Sequence, residues 1–133
     1  MILMADPDAQ QYFVRDITSV LEANWRWTHK KPQVKLPLVE GKNWKYVVDF
    51  SVPSVSLQKT GPVTISFLVN NRVLGSKAVE KDGRYQWEKD VPASWITPGK
   101  EVLIGAEIDK TMSVGEGVPA LGFILTGIGL EER

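Results

Sequence analysis

Val63, Ile65, Phe67 and Val69 recur at every second residue, with Thr64 and Ser66 between them. A period of two puts the four apolar side chains on one face of a strand, so the segment after Gly61-Pro62 is predicted to be a central strand facing a core. Asn70-Asn71 follows. Asparagine tolerates the positive φ that a two-residue hairpin turn demands, and the chain is expected to return through Arg72-Val73-Leu74 as the partner strand.

The same period recurs on both sides of this hairpin. Tyr46, Val48, Phe50 and Val52 predict a second core strand over 44–52, Val102, Ile104, Ala106 and Ile108 another over 101–109, and Leu121, Phe123 and Leu125 a closing strand over 120–130. Residues 84–91 read as half-exposed, with Tyr85, Trp87, Lys89 and Val91 on one side and Gln86, Glu88 and Asp90 on the other. Phe13, Ile17, Val20 and Leu21 also fit a helix, but a strand at 12–17 is preferred because every later segment is β-like.

Trp25 and Trp27 share one face of a short strand, with Arg26 on the other. His29-Lys30-Lys31-Pro32 is expected to break that strand before Val34, Leu36 and Leu38 resume an inward alternation, and Pro37 suggests a sheet edge. Residues 53–59 read as a polar connection, Lys81-Asp82-Gly83-Arg84 as a turn, and 92–99 as a loop in which Trp95-Ile96 plugs one end of the core. Residues 109–117 read as a flexible, partly acidic loop.

Many short alternating strands between Gly and Pro turns predict an all-β fold, an antiparallel two-sheet β-sandwich. A jelly roll is preferred over an immunoglobulin-like sandwich, whose Cys…Trp…Cys pattern is absent. A chain of 133 residues is expected to be a single domain that buries roughly two thirds of its unfolded surface. Residues 1–10 are expected to be a flexible or appended lead-in.

Composition narrows the classes. With 43% hydrophobic and 24% charged residues, the chain is expected to be soluble and globular, with no membrane span. Sixteen basic residues balance sixteen acidic ones, which removes the electrostatic footprint of nucleic-acid binding. The absence of cysteine excludes disulfides, thiolate nucleophiles and Cys-ligated zinc. Met1-Ile2-Leu3-Met4 stops far short of a signal-peptide apolar region of roughly 7 to 15 residues. The default expectation is therefore cytoplasmic, or cell-envelope if the chain is a fragment.

Catalytic chemistry has little to stand on. The one histidine, His29, lies in a basic turn, so no Ser/His/Asp set can be assembled, and phosphate-binding glycine motifs are absent. A carboxylate pair such as Glu88 and Glu107 could in principle serve glycoside hydrolysis, but nothing in the spacing selects it. Asp109 and Glu116 in the glycine-containing loop are oxygen ligands for a structural calcium, without the spacing of an EF-hand. No catalytic residue, metal site or cofactor is expected.

Five tryptophans in a chain of this length either fill the sandwich or leave rings free to stack on a sugar. Three stretches, Trp25-Arg26-Trp27-Thr28, Gly61-Pro62-Val63-Thr64-Ile65-Ser66-Phe67 with Val69-Asn70-Asn71, and Leu121-Gly122-Phe123-Ile124-Leu125, resemble a bacterial β-sandwich family of the galactose-binding-like type. The resemblance spans about Tyr12 to Leu130 and implies a jelly roll of the carbohydrate-binding-module kind, found alone or beside envelope-sugar enzymes. The expected function is a non-catalytic module binding a saccharide or glycan through Trp25, Arg26, Trp27, Arg72, Tyr85 and Trp87. The alternative is a protein-interaction or self-assembly module accessory to envelope-sugar enzymes, with a glycoside hydrolase third.

Overall fold

The computed structural model describes residues 1–37 and 43–133; the inward position expected for Leu38 lies outside them. The strands are β1 (Ile2–Leu3), β2 (Phe13–Ile17), β3 (Arg26–Leu36), β4 (Trp44–Val52), β5 (Val63–Val69), β6 (Arg72–Val79), β7 (Gly83–Val91), β8 (Val102–Ile108) and β9 (Ile124–Glu132). One helix, α1 (Ser54–Thr60), separates β4 from β5. The chain is all-β with antiparallel pairing throughout these strands. No helix among the described residues is long and apolar enough to cross a membrane.

The strands follow one path, β6-β5-β8-β3-β9-β4-β7, with β1 added to β9 and β2 to β3. The path turns at β3. Its first residues, Arg26 and Trp27, pair with β9, whereas Gln33 to Leu36 pair with β8. At the far ends, Lys89 Nζ on β7 donates to the Leu74 carbonyl on β6 at 3.0 Å, so side chains bring the outer strands together and the sheet is barrel-like. β5, with β6 and β8 on either side, is an interior strand as its alternation predicts. Asn70 and Asn71 turn the hairpin at φ 50° and 65°.

β3 runs unbroken through His29-Lys30-Lys31-Pro32, contrary to the break expected there. Pro32 falls where the strand changes partners, so its missing N–H removes no ladder bond. Two neighbours complete the passage. Asp16, at φ 59° in an irregular stretch of β2, accepts the Lys31 N–H at 2.8 Å, and Gly105 leaves room for the Pro32 carbonyl, which would lie 2.3 Å from any Cβ.

Two further expectations are corrected. Residues 1–10 belong to the fold, because Ile2 pairs with Ile128 and both Met4 and Ala9 are wholly buried. The polar connection expected over residues 53–59 is helical, α1; Ser56 Oγ donates back to the Pro53 carbonyl, and Gly61 at φ 75° ends the helix. Among the described residues Leu57 is the hydrophobic side chain it packs on the core, beside buried Ser56, too little to leave a helical period in the sequence.

The core is an aromatic stack. Phe67 touches Tyr46, Phe50 and Trp87, with ring centroids 5.9, 5.8 and 4.3 Å away, and Phe50 continues to Tyr85 and Phe123. Trp95 and Ile96 pack on this core from their loop, as expected.

Tyr46 is wholly buried and its hydroxyl donates to the Gly105 carbonyl at 2.7 Å. Burial pushes its phenol far above the ordinary value of about 10. The unfolded chain therefore loses this proton first, and stability conferred by the neutral phenol is present below pH ~10 and falls above it by about 1.4 kcal/mol per pH unit. Tyr46→Phe should cost about 1–2 kcal/mol at neutral pH through the lost hydrogen bond. It should also remove that alkaline slope, so the two stability curves converge near pH ~11. Parallel curves in urea melts across this range would contradict the assignment.

Candidate functional site

The turn between β2 and β3 is a hairpin extension held by two backbone bonds, Thr18 N–H to the Trp27 carbonyl at 3.0 Å and Glu22 N–H to the Trp25 carbonyl at 2.9 Å. Strand alternation then sends Trp25 and Trp27 one way and Arg26 the other. Both indoles are half-buried. Their centroids are 6.0 Å apart and their planes cross at 84°, an edge-to-face pair that fixes each ring against the other.

Arg26 is the anchor beneath them. Only 5% exposed, its guanidinium donates to the carbonyls of Ser19 and Thr18 at 2.7 and 3.2 Å and lies over the Phe13 ring at 5.2 Å. Nε has no partner among the described residues. The neighbouring strand position is locked as firmly. Thr28 N–H and Oγ1 both donate to the Phe123 carbonyl, while Thr28 Oγ1 accepts the Phe123 N–H. The Trp25-Arg26-Trp27-Thr28 and Leu121-Gly122-Phe123 stretches are thus paired through a common hydrogen-bond set. His29 continues this seam rather than facing solvent, with Nδ1 2.9 Å from the Ala120 carbonyl oxygen.

The other expected site residues lie elsewhere. Tyr85 and Trp87 face the interior of β7, stacked on Phe50 and Phe67, and the Tyr85 hydroxyl donates to the Lys81 carbonyl. Arg72 lies 4.1 Å over the Trp95 ring, beside Asn70, which donates through Nδ2 to the Trp95 carbonyl and accepts the Leu103 N–H. The six side chains therefore divide among three places: Trp25, Arg26 and Trp27 on the β2–β3 hairpin, half-buried Tyr85 and Trp87 on β7, and Arg72 against Trp95. Arg26 would have to leave its present partners to reach a ligand.

The acids divide in the same way. Glu88 is on the outer face of β7, 3.4 Å from Lys45, whereas Glu107 is on β8 opposite Ser66. The two are not brought together. Asp109 Oδ1 accepts the Thr64 N–H at 2.9 Å, and among the described residues no three acidic or histidine side chains converge in a way that could hold a metal. Val20 and Leu21, 63% and 40% exposed, sit on the indole hairpin. No family model, curated protein or solved structure matches the chain.

Proposed function

We propose that this protein is a non-catalytic binding module whose ligand is a saccharide or glycan stacked on Trp25 and Trp27. The observation that carries the reading is the perpendicular, half-buried indole pair, with its strand held from behind by Arg26. A rigid aromatic face suits the apolar side of a pyranose ring because little side-chain entropy is lost on contact. The jelly-roll reading belongs to the same proposal. Counting the two halves of β3 separately, and setting aside the added strands β1 and β2, gives two four-stranded layers, β3-β9-β4-β7 and β3-β8-β5-β6, which suits that architecture.

Magnitude sets the expected affinity. Covering one indole removes ~80 Å² of apolar surface, or ~2 kcal/mol, so two rings support binding near ~1 mM before association costs. Trp27→Ala should weaken binding about 30-fold, since ~2 kcal/mol is lost. Titration of plant, bacterial and host glycans against intrinsic fluorescence tests this. A flat response across the panel, or an unchanged response in Trp27→Ala, counts against the reading.

A second reading is favoured by exposed Val20 and Leu21 on the same hairpin, which suit a protein surface or a second copy of the chain. Light scattering over a concentration series separates self-docking from saccharide binding; a strictly monomeric species removes the former.

A further inference from the structure

We propose that an acidic pocket on the outer face of β4 and β7, centred on Asp49, receives a single guanidinium or ammonium group from a ligand. This site does not rest on the glycan reading. Along β4, Tyr46, Val48 and Phe50 enter the core, which turns Val47 and Asp49 outward. Asp49 is flanked in register by Gln86 and Gly127, and Val47 by Glu88 and Gly129. The two glycines admit Met1, because a Cβ at Gly127 would lie 2.8 Å from Met1 Sδ and one at Gly129 would lie 2.6 Å from Met1 Cα. Met1 becomes one wall of a pocket of about 130 Å³, with Val47, Asp49, Gln86, Glu88 and Glu131 among the rest.

Asp49 is only 8% exposed, and its Oδ1 has no hydrogen-bond partner among the described residues. Leaving a buried carboxylate oxygen without a donor is costly, so the atom calls for a donor that completes it, from water, an ion or a ligand group. The neighbouring side-chain cations are engaged elsewhere, Lys45 with Glu88 at 3.4 Å and Arg133 with Asp90 at 3.0 Å, and the Met1 α-ammonium lies on the pocket wall beside Gly129. Asp49 and Glu131 then face the single Met1 ammonium, which leaves one acid in excess and Asp49 Oδ1 without a donor. A complementary group must therefore bring N–H donors and positive charge, and the volume suits one small head group rather than a folded element. A metal lacks the required ligand set among the described residues.

The test follows backbone amide shifts of Val47, Asp49 and Gln86 during titration with methylguanidinium, capped arginine amide or spermidine, at constant ionic strength. Tetramethylammonium, a cation without N–H donors, is the control. Saturable shifts with the N–H cations, weakened at least tenfold in Asp49→Asn and absent with tetramethylammonium, are expected. Tighter binding of capped arginine assigns the group to a partner protein's side chain, and tighter binding of spermidine to a free polyamine; either supports the site. The unliganded Asp49→Val protein should melt a few degrees above the parent, because it loses an uncompensated buried acceptor. The proposal is overturned by no saturable shift, by shifts retained in Asp49→Asn, by an equal response to tetramethylammonium, or by a lower melting point for Asp49→Val.

Discussion

Phe67→Ala is expected to remove about 3–5 kcal/mol of stability, the range for emptying a wholly buried aromatic site. Phe67 is at the centre of the stack, in contact with Tyr46, Phe50 and Trp87. Against a total of about 5–15 kcal/mol, the loss is a large fraction of what keeps the chain folded. Urea unfolding should show a lower midpoint with an unchanged slope. A loss below about 1 kcal/mol would mean that the stack is redundant, contrary to its central position.

Gly122→Ala is the second large effect, and it links the fold to the indole face. A Cβ there would lie 2.3 Å from the His29 carbonyl oxygen and 3.0 Å from Thr28 Oγ1. The closer atom belongs to the backbone of β3, which the Thr28 and Phe123 hydrogen bonds fix in place. Relief requires that seam to open, so a loss of about 3 kcal/mol is expected, at the upper end for overpacking. The resonances of Trp27, the residue before Thr28, should move as well. A variant with parental stability and unshifted Trp27 signals would show that the seam yields freely.

Legibility in the sequence followed burial on one face. Where a strand has one core face, as in β4, β5 and β8, alternation located it to within a residue or two, and Asn70-Asn71 marked the hairpin because positive φ restricts residue choice. β3 was harder. Its passage through Pro32 depends on Asp16 and Gly105, residues distant in sequence that supply an acceptor and a space, and α1 has almost no apolar face from which to read a period.

The site was legible only in part. Alternation separates Trp25 and Trp27 from Arg26, but cannot say which side is solvent; the carbonyls of Ser19 and Thr18 decide that. Tyr85 and Trp87 share the same period as the indole pair, yet their side of β7 is the core, because β4 and β5 place Phe50 and Phe67 beneath them. Asp49 reads as an ordinary outward polar residue. Its lack of a partner becomes visible only when Met1 and Gln86 are placed around it.

The most direct measurement is the set of five indole N–H resonances, one for each tryptophan, followed while a glycan that binds is added. Trp25 and Trp27 are expected to shift together and saturate at one concentration, while Trp44, Trp87 and Trp95 stay in place. Saturable shifts confined to Trp87 or Trp95, with Trp25 and Trp27 unmoved, would contradict the assignment of the binding face.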